Sequence, residues 1–97
     1  MLKRFVKLTF EPESSSQFLA VFDTVKNNIR QFPGLEYMEL LQDTATPGVF
    51  FTLSVWQSDQ DLENYRKSDL FRTTWSEIKP LFAQPAEAWS LKATDTP

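Results

Sequence analysis

The chain has 97 residues and a formal net charge of −3, and it carries nine Phe and three Trp. That length suits one compact domain and not two, and its mixed, slightly acidic charge lacks the basic face a nucleic-acid partner needs. Cysteine and histidine are absent, which removes disulfides, thiolate metal sites, the commonest haem ligand and the side chain best suited to proton transfer near neutral pH.

Leu2 to Phe10 opens the chain with a period of two. Leu2, Val6, Leu8 and Phe10 share one face while Lys3, Lys7 and Thr9 share the other, so the segment is a strand. The same alternation separates it from a signal peptide, and no apolar run approaches the ~20 residues of a membrane span. A cytoplasmic location is the expectation. Glu11-Pro12 ends the strand, because proline cannot donate to a ladder. Ser14 with Gln17 fits a capping box. Phe18, Val21, Phe22, Val25, Ile29 and Phe32 then recur at spacings of three and four, the seam of a core-facing helix. Pro33-Gly34 stops it.

Leu35–Gln42 is a second strand and Val49–Trp56 a third, joined as an antiparallel hairpin by the turn-rich DTATPG loop of residues 43–48. On the third strand the odd positions (Val49, Phe51, Leu53, Val55) are wholly apolar and the even ones (Phe50, Thr52, Ser54, Trp56) are mixed. Both of its faces are therefore expected to be covered, one by something dry and one by something partly polar. Ser58 with Asp61 makes another capping box and opens a helix to about Lys67. Ser68-Asp69 caps either a continuation or a second helix to about Lys79, carrying Phe71, Trp75 and Ile78, until Pro80 interrupts the seam. Ala86–Ala93 is the fourth strand. Residues 1–93 form the single domain, and Thr94–Pro97 is a loose polar tail.

The resulting class is α+β, with the ferredoxin-like order β-α-β-β-α-β: a four-stranded antiparallel sheet with helices on one face. Apolar residues of both parities call for cover on the other face as well, and two sheets packed face to face in a homodimer supply it, closing toward a dimeric α+β barrel.

The run Val55-Trp56-Gln57-Ser58, followed by Leu62, Tyr65, Ser68, Phe71 and Trp75, resembles the antibiotic biosynthesis monooxygenase family. Pro33-Gly34-Leu35 and the closing Ala88-Trp89-Ser90-Leu91 fit it too, so the resemblance spans roughly residues 2–92. It implies a dimeric barrel with a pocket in each subunit between helices and sheet. Family members include enzymes that oxidise aromatic intermediates with dioxygen and neither metal nor flavin, quinol monooxygenases, haem-degrading enzymes, and proteins with no assigned activity. The haem-degrading pattern has an Asn in the first strand, a Trp in the second helix and a ligating His later. Those places hold Val6, Tyr65 and Trp75, so that branch lacks its iron ligand here.

The resemblance therefore implies a cofactor-independent monooxygenase acting on a small aromatic or quinol-like substrate. Such chemistry needs a dry cavity, aromatic walls for a flat molecule, and donors that favour its anion and a peroxy intermediate. The candidate catalytic residues are Tyr65, Arg72 and Trp75. Tyr37, Ser54, Trp56 and Phe71 are the candidate substrate-binding set, and Arg4 is a source of positive charge. No metal ligand and no cofactor are expected. Each residue also has a plainer reading. Trp56, Phe71 and Trp75 read more readily as core side chains, Arg72 as a solvated helix charge, and Arg4 as a sheet-edge residue or the partner of an acid across a dimer. A buried Tyr65 needs a partner or a polar cavity. No paired carboxylates mark acid–base work, since Asp59 and Asp61 sit in a first helical turn where the helix dipole accounts for them. The second function class is accordingly a non-catalytic homodimeric module on the same fold, one that binds a small apolar ligand or none, or a stress-related one.

Overall fold

A computed structural model describes residues 1–96. Strand β1 (Leu2–Phe10) is followed by helix α1 (Ser15–Arg30), then β2 (Leu35–Gln42), β3 (Val49–Trp56), helices α2 (Asp59–Arg66) and α3 (Asp69–Ile78), and β4 (Phe82–Leu91). The four strands make one antiparallel sheet in the order β2-β3-β1-β4. The β-α-β-β-α-β reading holds, with its second helix delivered as two.

That division follows from Ser68. Its extended backbone breaks the helical run, and its Oγ accepts from Phe71 N at 3.1 Å while donating to Tyr65 O at 2.6 Å. One hydroxyl thus ends α2 and caps α3. Ser58 caps α2 in the expected way, accepting from Asp61 N at 3.1 Å. Ser14 does not cap α1. A 3-10 turn over Pro12–Ser14 leads into that helix, and Ser14 is already in a helical conformation (φ −91°, ψ −5°) with no side-chain cap bond. Capping needs an extended residue, so the Ser14–Gln17 box is not formed.

Strand β4 begins four residues before the expected Ala86 and stops at Leu91. Pro85 is tolerated because β4 lies at the sheet edge, where its pairing with β1 shifts register between Lys7 and Thr9. Of the expected tail, Pro97 lies outside the described residues. None of the described helices is long and apolar enough to cross a membrane.

The side-chain parities sort as the pleat requires. The core cluster of Leu8, Phe10, Phe18, Phe50 and Ile78 lies between sheet and helices. It puts the even positions of β1 and β3 on the helix side. The wholly apolar odd positions of β3 therefore face away from the helices. Around them on the same open face stand Phe5, Tyr37, Leu41, Trp89 and Leu91, and the last four are each more than 40% exposed.

Candidate functional site

A cavity of about 320 Å³ lies between the helix layer and the sheet, toward the small end of the ~300–1,000 Å³ range of small-molecule sites. Its floor is read from the strand register. In one row across the sheet Met38, Ser54 and Arg4 line it, and in the next Thr52, Val6 and Ala88 do. Its roof is formed by Phe18, Phe22 and Ile29 of α1, Leu62, Tyr65 and Arg66 of α2, and Phe71, Thr74, Trp75 and Ile78 of α3. Two of the lining residues, Ala88 on the edge strand and Arg66 on α2, are exposed and mark the mouth.

Five of the expected site residues line this space: Ser54, Trp56, Tyr65, Phe71 and Trp75. Four of them form a connected wall of rings. Trp56 and Tyr65 have centroids 5.2 Å apart, Tyr65 meets Phe71 edge-on at 5.2 Å, and Phe71 stacks on Trp75 at 5.5 Å with 11° between planes. Phe32 braces the start of the wall, 5.3 Å from Tyr65. The rings touch side by side and leave the hollow in front of them open.

The polar groups at this wall have unequal freedom. Trp56, 1% exposed, donates its indole N–H to Ser54 Oγ at 3.0 Å, so that donor is already committed. The bond fixes the Trp56 ring and leaves the Ser54 O–H free to donate elsewhere. Tyr65 makes no side-chain hydrogen bond among the described residues, and burial pushes its phenol up to about 12. At neutral pH it is a donor and not a base. Trp75 has a ring N–H with no partner among the described residues, and Thr74 has a buried Oγ1 likewise unpartnered.

Tyr37 and Arg72 do not join the site. Tyr37 lies on the opposite face of the sheet, 51% exposed, and donates its hydroxyl to Glu39 Oε2 at 2.9 Å. Register decides this: Met38 pairs with the cavity-lining Ser54, so its neighbour in β2 must point away. Arg72 stays on the outer side of α3 and pairs with Asp69 one turn earlier. Arg4 does reach the cavity, as the parity of β1 anticipates. Arg66 and Thr74 are additions. Sequence spacing alone hides Arg66, because a helix-end arginine paired with Glu63 has the pattern of a surface charge.

No Asp, Glu or His lines the cavity among the described residues, and no group of three or more metal-ligating side chains gathers elsewhere in them. The site is thus an aromatic-walled hollow with hydroxyl donors and two guanidinium groups at one end. It can hold a flat apolar molecule, favour its anion and shield it from water.

The fold and site together define a class: a two-layer α+β domain whose helices roof an aromatic cavity and whose sheet turns a face rich in large apolar side chains outward. A model of the antibiotic biosynthesis monooxygenase family matches residues 1–75, and the chain belongs to that family. Solved structures agree on the fold. A crystal structure of an antibiotic biosynthesis monooxygenase superposes with a TM-score of 0.91 at 21% identity, covering 98% of this chain and 100% of that one. A conserved protein from Methanosarcina mazei Go1 gives 0.89 at 15% identity, covering 94% and 90%. Rv0793 from Mycobacterium tuberculosis gives 0.86 at 18%, covering 98% and 96%. Identities this low speak for the fold alone. No curated protein matches the sequence.

Proposed function

We propose that the protein is a homodimeric monooxygenase that oxidises a small aromatic or quinol-type substrate with dioxygen and without a cofactor. The observation that carries this reading is the cavity itself, open in front of the Trp56–Tyr65–Phe71–Trp75 wall. A ring-shaped substrate stacks there, out of bulk water.

The residues present suit a substrate that brings its own acidity. With no carboxylate or imidazole on the cavity wall, deprotonation is helped by stabilising the anion, a task for Arg4, Arg66 and the hydroxyls. The anion gives one electron to dioxygen, and the two radicals combine at carbon to a peroxide. For an anthrone-type methylene the balance is CH2 plus O2 giving C=O plus H2O. Both oxygen atoms and the four electrons taken from the substrate are accounted for. Tyr65 O–H and Trp75 N–H are the donors assigned to the developing peroxide oxygen, since both residues line the cavity.

The homodimer is supported by the open sheet face. Tyr37, Leu41, Trp89 and Leu91 project from it with Phe5, Phe51, Leu53 and Val55 between them. Lys3, Lys7, Glu39 and Glu87 share this face, but so many large exposed apolar side chains together call for a partner, and a second copy meets them with a matching surface.

Oxygen uptake with a panel of anthrones and hydroquinols in metal-free buffer tests the enzyme reading. Turnover above the buffer rate that falls in Tyr65→Phe and Trp75→Phe is the expected result. A panel that binds without any uptake overturns it in favour of a ligand-binding module, the reading that the absence of a base among the cavity-lining residues favours.

A further inference from the structure

The cavity is polarised along the strands. At its dry end Phe10, Phe18 and Phe50 pack against Leu8 and Ile78. Four residues along β1 from Leu8 the floor changes character: Ser54 and Arg4 lie side by side on β3 and β1, with the exposed Ser90 beside Arg4 on β4. Arg4 is only half-buried, yet its one side-chain partner is a neutral hydroxyl: Nη1 donates to Ser90 Oγ at 2.8 Å. Among the described residues no carboxylate lies within ion-pair distance of it. Arg66 enters the same end of the cavity from the roof, held by Glu63 at 3.6 Å.

Two guanidinium groups thus line one hollow with a single carboxylate in reach of the pair. The Arg4 guanidinium is held below its ordinary value, first by burial and then by repulsion from Arg66, with Glu63 offsetting part of this. Four of the five N–H donors of Arg4 are uncommitted to any side chain. A second anion at this place satisfies them, relieves the repulsion and accepts from the free Ser54 hydroxyl. A planar oxyanion suits an arginine fork best.

We infer that the ligand of this cavity is amphipathic: a flat apolar body lies against Phe71, Trp75 and Val6, and a carboxylate attached to it sits on Arg4 and Ser54 beneath Arg66. This inference rests on the reading of the cavity as an aromatic-ligand site. It adds that the substrate class is an aromatic acid, whose ring lies along the wall between Tyr65 and Trp75 with its carboxylate at the arginines.

Isothermal titration calorimetry with 2-naphthoate and its neutral isostere 2-naphthamide tests this without requiring turnover. The acid should bind about tenfold more tightly than the amide, the scale of a charge-assisted hydrogen bond in a partly wet site. That preference should shrink as salt is added. Arg4→Gln should abolish the preference, Arg4→Lys should retain most of it, and Arg66→Gln should reduce it less than Arg4→Gln, because Arg66 already has an acid partner. Equal affinity for acid and amide in the wild type overturns the anion seat and leaves the aromatic cavity standing. A preference for the acid that survives both Arg4→Gln and Arg66→Gln overturns it too, because the anion then sits elsewhere. Failure of both probes to bind overturns the aromatic-ligand reading together with this one.

Discussion

Tyr65→Phe separates the wall from the donor, because the two parts of this side chain have different partners. The ring is held on three sides, by Phe32 at 5.3 Å, Trp56 at 5.2 Å and Phe71 at 5.2 Å, and phenylalanine keeps all three contacts. The hydroxyl has no hydrogen-bond partner among the described residues. A tyrosine hydroxyl bonded within a fold contributes about 1 kcal/mol, and one without a partner contributes close to nothing or less. Denaturant unfolding at neutral pH should therefore place the variant within about 0.5 kcal/mol of the wild type. At high pH the two should part. Burial raises the phenol from 10.0 to about 12 in the folded chain, so above pH 10 the unfolded state loses this proton first and wild-type stability falls with pH. The slope reaches about 1.1 kcal/mol per pH unit near pH 11, where the loss amounts to about 1.4 kcal/mol. The effect is absent in the variant, while the other alkaline groups titrate in both proteins and cancel in the difference. Oxygen uptake should drop by roughly a hundredfold, as when a single donor to a developing oxyanion is removed, with the affinity for a neutral aromatic probe unchanged. A loss above about 1 kcal/mol at neutral pH would show that the hydroxyl is bonded within the fold. Parallel stability curves up to pH 11 would show that the phenol is not buried.

Three further substitutions probe the frame around the cavity. Trp89→Asp places a charge on the open face beside Phe5, its neighbour across the sheet, and should convert a wild-type dimer to monomer in sedimentation velocity. A wild type that is itself monomeric, or a variant that stays dimeric at high dilution, would refute the face-to-face arrangement. Gly48→Ala should cost roughly 2–5 kcal/mol of unfolding free energy, since Gly48 has φ +92° and an added Cβ would lie 2.4 Å from the Phe10 carbonyl oxygen; a midpoint within error of the wild type would contradict that geometry. Ala88→Leu at the cavity mouth should leave stability unchanged or raise it by about 0.5–2 kcal/mol, as cavity filling does, and should weaken 2-naphthoate binding at least tenfold. Undiminished binding would mean that the ligand does not occupy this hollow.

The elements were legible because each is written at its own period and punctuated by its own side chains. Pro33-Gly34, Ser58 and Ser68 sit at boundaries that the structure keeps. The errors have local causes. Ser14 and Gln17 have the spacing of a capping box, but Pro12 has already turned the chain, and spacing carries no information about backbone conformation. The fourth strand starts at Phe82 and not Ala86, and it can run through Pro85 only because it lies at the sheet edge; strand order is a tertiary property. Tyr37 was misplaced because β2 carries apolar residues in both parities, so its hydrophobic pattern does not choose a face; its pairing with β3 does. Arg66 and Thr74 are hidden in the sequence for a related reason. Their place in the site depends on how α2 and α3 are aimed across the sheet, and a helix seam is too broad to fix that aim.

Why there is a hollow at all follows from where the large rings stand. At one end Phe10, Phe18 and Phe50 fill the space between sheet and helix, with Phe10 and Phe18 stacked at 4.4 Å and Phe18 5.1 Å from Phe50. At the other, Trp56, Phe32 and Tyr65 do the same. These two clusters hold the helix layer off the sheet like the piers of a bridge. Between them the sheet offers Thr52, Ser54, Ala86 and Ala88, side chains too short to reach the roof. A void left in a core costs on the order of 24 cal/mol per Å³, so a space of this size, were it sealed and empty, would cost several kcal/mol. Leucine at Ala86 and Ala88 would reclaim much of that. Folding alone gives no reason to alternate tall aromatic supports with short residues and to set an arginine with no acid partner at the end of the gap. Uptake of a molecule that completes the packing and neutralises Arg4 gives one.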